Sequence, residues 1–386
     1  TGFARVLRLE HVALRPQSVD ADVLRASERP LVACCTLLAP TTEAEVAWTG
    51  EVHVLVARLR ACTMASNATA SLAAGAYAIT GGLGGLGLRA AKMLAQSGAS
   101  GVALSSRSGR VGGVAIDVEQ VAMVRVAACD VGDAADALAL PACAASAGVL
   151  HAAGVLHDKM LRSMDAHDAH AVLSPKALGA SHVQAAVMRT PLEAFGLFSS
   201  VASTFGNVGQ ANYAAANAYL DALARSRRCH GAFVSSLQIP AVSGAGMGAS
   251  TFDREQLDAI GAISLDAFAA CISIALTPAC AATERTLAPL ARALLTSSAS
   301  RALIELSHDN AEQTAGAQVA ATAPGNVLAC SLVGLSVSQR RAHVEALVLR
   351  VVRELTGAPA ASLPADAPLM EAGVDSLAAT ELSSRL

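Results

Sequence analysis

Aromatic side chains make up only 3% of the 386 residues and charged ones only 15%. With 28 Lys+Arg against 31 Asp+Glu the net charge is −3. The chain therefore has no general basic field and too few rings for a base-stacking surface, which removes nucleic acid as a partner class. No C-x-x-C pair occurs among the nine cysteines, although Cys34 and Cys35 are adjacent. Neither a zinc knuckle nor a disulfide framework is indicated, no metal is expected, and a reducing, intracellular compartment fits best. Long apolar runs are missing too. The longest, such as 31–40, fall short of a bilayer span, and no charged-then-apolar leader opens the chain. Because the first residue is Thr1, the sequence reads as a fragment and an upstream targeting segment stays open. What is plentiful is small and apolar: 53% hydrophobic residues, much of it Ala, and 30 Gly. Such a chain folds, and its length suggests two or three domains with closely packed helices.

Residues 1–68 read as short α and β pieces, a helix over 3–11 and an alternating strand over 51–59, in a small or incomplete domain. From Ala74 the pattern becomes strand, glycine turn, helix, repeated: a strand over 74–80, a helix over 86–96 ended by Gly98, and a strand over 101–105. Further strands are expected over 124–130, 148–152, 195–198 and 233–237, with Ala-rich helices over 171–188 and 211–226. This is βαβ spacing, so the fold class is α/β with a doubly wound parallel sheet. Residues 297–341, rich in Ser, Ala, Thr and Gln, look like a linker. Beyond it, Val344, Leu347, Val348, Val351, Val352 and Leu355 repeat at helical spacing over 343–356 with Gly357 as C-cap.

After the first of these strands comes Thr80-Gly81-Gly82-Leu83-Gly84-Gly85-Leu86-Gly87, running straight into a helix. Glycines let backbone approach a pyrophosphate, and the helix start supplies unpaired N–H groups and partial positive charge. A tight strand-to-helix turn without a ligand is the alternative. At the end of the next strand, after Ser106, Arg107 stands where an NAD site would place an acid for the ribose 2′-hydroxyl. A cation there favours a 2′-phosphate, hence NADPH, unless Arg107 is an ordinary solvated side chain. Asp130 either accepts from the adenine amino group or caps a helix.

Ser200 and Tyr213, with Asn217 one helical turn after Tyr213 and Lys176 upstream, form the other constellation. A ketone accepting hydride at carbon develops negative charge on oxygen, which needs a proton donor and a second hydrogen bond; Tyr and Ser hydroxyls supply them. A nearby cation lowers the Tyr pKa, and Lys176 could act directly or through a water oriented by Asn217. Singly, a strand-end Ser, a core Tyr and a solvated Lys are commoner. Set within "HAAGVLHDKM", "SPKALGA", "LFSSVAS" and "GQANYAAANAYLDALA", these residues resemble the ketoreductase domain of modular type I polyketide synthases, of the short-chain dehydrogenase/reductase superfamily. The resemblance covers roughly 1–300, with 1–68 similar to the end of that family's truncated Rossmann-like structural subdomain, which lacks a cofactor, and 69–296 to its catalytic domain. It implies a Rossmann-like sheet and NADPH-dependent reduction of a β-ketoacyl thioester to a β-hydroxyacyl thioester. Tyr213 would be proton donor, Ser200 carbonyl hydrogen-bond donor, and Lys176 with Asn217 the support. The residues Thr80 to Leu86, Ser106, Arg107, Asp130, Val131, Ala152, Ala153 and Gly154 would hold the cofactor.

The run from Leu369 to Leu377 looks like an acyl carrier protein's attachment motif, and 343–356 like that domain's first helix. Ser376 would carry 4'-phosphopantetheine, or else simply cap a helix. The chain stops at Leu386, before the later helices of such a domain, so 342–386 is expected to be an incomplete carrier. The resemblance implies other domains of the same polyketide synthase and a carrier-bound substrate as partners, and a cytoplasmic setting, or a plastid one behind a transit peptide. Departures stand out. The helical stretches between Arg107 and Asp130, with a brief candidate over 116–124, and before the "HAAG" strand are short. Gln238-Ile239-Pro240-Ala241-Val242 replaces the family's Asn-Trp-Gly-Pro-Trp, which weakens the expected lid. Leu156-His157-Asp158 keeps the last acid of the family's Leu-Asp-Asp, and 205–210 holds no Trp, which points to the D-hydroxyl (B-type) product. His157 is assigned no catalytic role. A cofactor-binding scaffold without reductase activity is the competing reading; a fatty acid synthase reductase shares the chemistry, and a free short-chain dehydrogenase leaves the carrier-like tail without purpose.

Overall fold

The computed structural model describes residues 1–11, 14, 16–21, 44–49, 53–56, 72–111, 123–140, 147–188, 190–248, 253, 255, 257, 261–277, 350 and 353. Two compact units are distinguished, Thr1–Asn310 and Ala311–Leu386. In the second, Arg350 and Arg353 are described, both helical; the linker, most of the amphipathic helix over 343–356 and Ser376 lie outside the described residues.

The first unit is built on a six-stranded parallel sheet. Its strands are β4 (Ala76–Thr80), β5 (Gly101–Ser106), β6 (Met123–Ala128), β7 (Gly148–His151), β8 (Ala194–Ser200) and β9 (Val234–Ile239). They lie in the order β6-β5-β4-β7-β8-β9, the doubly wound arrangement expected. β4, β7 and β9 are buried along their whole length. Both faces are covered, so burial is continuous along these strands rather than alternating, and the polar Ser236 and Gln238 of β9 are buried with Asp221 as their partner. On one face Tyr77, Ile79, Leu104, Leu150 and Phe198 pack with Leu94 of α2 (Gly85–Gln96) and Phe268 and Ile272 of α8 (Leu265–Ala275). Phe198 meets Phe268 edge to face at 5.7 Å between centroids, a favoured aromatic geometry. On the other face Ala78, Val149, Leu197 and Val234 pack with Val183 and Leu220. α2 ends at Gly98, whose φ of +89° is the left-handed conformation a glycine terminator supplies.

Several elements differ from the sequence reading. The single helix expected over 171–188 is three pieces: α4 (Ala166–Leu173), a π-helical turn (Ser174–Leu178) and α5 (Gly179–Val187). Pro175 at the start of the turn has no N–H to donate, which favours the wider register. The strand expected over 124–130 stops at Ala128. Beyond it the Asp130 N–H donates to the Asp136 carboxylate, and Asp133 caps the unexpected short helix α3 (Ala134–Ala139). The brief helix expected over 116–124 lies largely outside the described residues.

The N-terminal pieces are α1 (Gly2–Glu10) and a three-stranded sheet of β1 (Ser18–Ala21), β2 (Glu45–Thr49) and β3 (His53–Leu55). α1 packs on the α7 helix (Ala211–Cys229) of the large sheet unit: Val6 is buried with Ala211 and Ala214, and a Cβ on Gly2 would collide with the Ala214 carbonyl. These small residues let the two backbones approach closely. Arg5 and Arg8 pair with Glu45 of β2, and Arg5 also donates to the Ser203 carbonyl in α6 (Ala202–Phe205).

Candidate active site

The C-terminal ends of β4, β5, β6 and β7 converge where the strand order reverses, the place an open α/β sheet offers a ligand. Gly81, at φ +66°, begins the turn after β4. A Cβ there would stand 2.8 Å from Ala153 Cα, and one on Gly87 would stand 2.6 Å from the Gly81 carbonyl oxygen. Gly82 N–H ties the turn to the Ser105 carbonyl at 2.9 Å. Those glycines are explained by packing alone. Gly84 is different: it is exposed at the start of α2, and no side chain caps that end, whereas a Cβ on the neighbouring Gly85 would stand 2.9 Å from the Ala245 Cβ. A Cβ on Gly84 would meet only the Gly81 carbonyl, at 3.2 Å. The first-turn N–H groups of a 12-residue helix thus face an open approach, which fits a phosphate. Leu83 and Leu86 lean into the core, and Leu86 and Gly85 also carry the loop at Ala245 and Gly246.

Ser106 closes β5, with its hydroxyl accepting from Gly109 N–H at 3.1 Å, and Arg107 after it is exposed. Asp130 is partly committed elsewhere, since Oδ1 accepts Gly132 N–H at 3.0 Å. Val131 is buried and its carbonyl shares a hydrogen bond with His182 Nδ1. Ala152, Ala153 and Gly154 follow β7, and a Cβ on Gly154 would lie 3.3 Å from Lys176 Nζ.

Ser200 is the last residue of β8, Tyr213 lies in the first turn of α7, and Asn217 stands one turn on. Lys176 projects from the π-helical turn: its Nζ donates to the Phe198 carbonyl at 2.8 Å and lies 5.4 Å from the Tyr213 ring centroid. Lys176, Tyr213 and Asn217 are all buried. The structure therefore brings the four polar residues together beside the glycine turn. Burial pushes the Tyr213 phenol above its ordinary pKa, while the Ser200 and Asn217 side chains draw it partly back. Burial also brings the Lys176 ammonium down to about 8, against the pull of Asp221.

Sequence reasoning passed over several supports. His151, fully buried, shares a hydrogen bond with Thr80 Oγ1 at 2.8 Å through Nδ1 and with the Lys176 carbonyl at 2.9 Å through Nε2. It thereby links the glycine turn to the segment carrying Lys176. Burial, then the Lys176 charge, lowers its pKa to about 4. Between pH 6.5 and about 4 the unfolded chain binds a proton that the folded chain refuses, so stability is full above pH 6.5 and falls as the pH drops toward 4. The loss should be on the order of 3 kcal/mol. Urea midpoints measured from pH 7 downward read it, and His151→Gln should flatten the slope in that window.

Asn212 Nδ2 donates to the His157 and Asp168 carbonyls, while its Oδ1 accepts Tyr213 N–H at 2.8 Å. Asp168 accepts from Lys159 Nζ at 2.6 Å, shares a hydrogen bond with His157 Nε2, and forms a capping box with Asp165. Backbone donation from Asp165 and then Lys159 hold its carboxyl well below the usual range. Asp221 accepts from Ser203, Ser236 and Gln238. Within the 238–242 segment Gln238, Ile239 and Val242 are buried. The signal for His151 was the "HAAG" string itself; the Asp221 network had none, since its partners are scattered along the chain.

Residues 75–244 match the KR domain family, and residues 346–386 match the phosphopantetheine attachment site family. A spectinabilin polyketide synthase system protein of Streptomyces orinoci is 36% identical over 328 residues, 81% of this chain and 15% of that protein. Mycoketide-CoA synthase of Mycobacterium tuberculosis is 34% identical over 340 residues, covering 82% of this chain and 8% of its own length. The chain thus spans a small part of the polyketide synthases it matches. Among solved structures, A-type ketoreductases from a modular polyketide synthase superpose with a TM-score of 0.67 at 30% identity, over 75% of this chain and 63% of theirs. The first ketoreductase of the tylosin polyketide synthase gives a TM-score of 0.61 at 32% identity, over 71% of this chain and 61% of its own. The parallel sheet, the glycine turn and these matches together make the chain a member of the polyketide synthase ketoreductase family, followed in sequence by a phosphopantetheine attachment segment.

Proposed function

We propose that this chain reduces the ketone of a carrier-bound β-ketoacyl thioester to the β-hydroxyacyl thioester during polyketide chain building, with NADPH as reductant. The observation that carries the reading is the buried Lys176, Tyr213 and Asn217 cluster with Ser200, set beside an uncapped glycine turn. Bound NADPH supplies the hydride. Ser200 donates a hydrogen bond to the ketone oxygen, and Tyr213 gives that oxygen a proton as its charge develops. Lys176 stabilises the tyrosinate left behind, and Asn217 fixes the α7 turn by donating to the Tyr213 carbonyl at 2.8 Å. Thr80 to Leu86, Ser106, Asp130, Val131 and Ala152 to Gly154 would line the cofactor, with Arg107 on the 2′-phosphate. Asp158, the acid retained after Leu156-His157, together with the absence of Trp from 205–210, is the ground for the D-hydroxyl product; its carboxylate accepts from Gln210, and partial desolvation raises its pKa. The same reading sets 69–296 as the catalytic domain, 342–386 as carrier, and Ser376 as its phosphopantetheine attachment.

The test uses the whole chain with an acetoacetyl thioester surrogate, following loss of reduced nicotinamide absorbance and resolving the two alcohols by chiral chromatography. NADPH should be preferred to NADH by roughly tenfold or more, and Arg107→Ala should erase most of that preference, as a single charge-assisted phosphate contact implies. NADPH binding without oxidation would instead assign the chain to a scaffold role.

A further inference from the structure

Glu10, the last residue of α1, reaches out of the N-terminal segment into the border of the site. Its Oε2 accepts Leu161 N–H at 2.7 Å, and its Oε1 accepts Gly209 N–H at 2.9 Å. These amides belong to two loops. The 152–164 loop passes Gly154 beside Lys176 and carries Asp158, whose charge acts on the Tyr213 phenol. The 206–210 loop runs straight into the first turn of α7, where Tyr213 stands. The loops also hold each other, through Lys159 N–H to the Gly209 carbonyl at 2.7 Å and Gln210 Nε2 to Asp158 Oδ2 at 2.8 Å. Glu10 adds one carboxylate across both. Its own helix is fixed from behind by Arg5 and Arg8 on Glu45 and by the close contact of Gly2 with Ala214, the residue after Tyr213.

We propose that Glu10 is a positioning residue for the reduction: by accepting one amide from each loop it sets the spacing at which Asp158 and Tyr213 meet the substrate ketone. This rests on the reductase reading above. Both donors are N–H groups, so the bridging residue must offer two acceptor oxygens. A glutamine offers one, and turns its own donor toward the other amide, leaving one loop without its partner. Gly209 is buried, so an amide released there has little water to replace the lost bond.

The experiment compares the full-length wild type with Glu10→Ala and Glu10→Gln, the second serving where the first fails to fold. Hydrogen exchange is read on peptides covering 157–164 and 206–212, with β4 and β8 as internal references. In parallel, kcat, KM and the ratio of the two alcohols are measured with the thioester surrogate. We expect exchange to quicken about tenfold in both loops for Glu10→Ala and in at least one for Glu10→Gln, with the strands unchanged. NADPH affinity should hold, kcat should drop about tenfold, and the minor alcohol should gain share, a change that mere loss of folded protein does not produce. Unchanged exchange in both loops overturns the clamp. Faster exchange with wild-type kcat, KM and alcohol ratio overturns the positioning role and leaves Glu10 a structural brace. A wild type that oxidises no NADPH overturns the reductase reading, and the positioning role with it, even where the exchange data show the clamp.

Discussion

Tyr213→Phe should yield a folded chain that still binds NADPH and reduces the thioester roughly a thousandfold more slowly. The ring is what packing requires. Tyr213 is buried at 9% exposure among Val172, Ala177, Ala202 and Ala216, and Lys176 Nζ lies 5.4 Å from its centroid. Phenylalanine keeps that volume and that face. What it removes is one oxygen near Ser200 and Asn217. Because burial raises the phenol pKa, the hydroxyl holds its proton across neutral pH and is available as a donor whenever the ketone oxygen needs one. The stability change should stay within about 1 kcal/mol, since the lost hydrogen bonds are offset by a smaller desolvation cost. Single-turnover absorbance decay with saturating NADPH, beside thermal melts of both proteins, separates these effects. A variant within threefold of the wild-type rate would show that the proton comes from elsewhere.

The glycine turn and the strands around it were legible because their signals are local. The turn runs from β4 into α2, and the observed bounds of α2, Gly85–Gln96, begin one residue before those read from the sequence. Local signals also existed for α8, where Ser264 caps and Leu265, Phe268, Ala269 and Ile272 repeat at helical spacing, yet it was passed over. α3 escaped because its Ala-rich sequence shows no apolar stripe; its sign was the acceptor Asp133 ahead of Asp136. Lys176 is the instructive case. The chemistry called for a cation near Tyr213 and the resemblance supported Lys176 in that place, but nothing in its spacing put it 5.4 Å from the ring, and the π-helical turn that aims it stayed hidden inside a helix-like pattern. The Glu10 bridge was out of reach for another reason: its partners are backbone amides, which leave no mark in a sequence. The missing aromatics at 238–242 read as a loss of substrate-positioning structure. The strand end itself is held by Gln238, which bonds to Asp221 and Thr204, polar contacts that composition alone does not announce.

Lys176→Met should separate stability from activity. The ammonium is buried at 3% exposure, and its pKa falls from 10.5 to about 8 because burial penalises the charge. At neutral pH that penalty amounts to roughly 3 kcal/mol against folding. Methionine removes the penalty and fills a similar volume, but strips the Phe198 carbonyl of its 2.8 Å donor, a loss of about 1–3 kcal/mol for a buried acceptor. The two effects oppose each other, so the variant should lie within about 2 kcal/mol of wild type at pH 7 although a buried charged residue has gone. The comparison shifts with pH in a defined sense. Between pH 8 and 10.5 the unfolded wild type holds a proton that the folded chain has released, so wild-type stability rises with pH there while that of the variant does not. Activity moves the other way. The wild-type rate should decline as pH rises through about 8, where Lys176 loses the charge that stabilises the tyrosinate. The variant should be slower by roughly a hundredfold at pH 7, with no decline near pH 8. Urea midpoints and initial rates measured on both proteins from pH 6.5 to 10 test the two halves together. Persistence of the decline near pH 8 in the methionine variant would show that Lys176 is not the group that titrates.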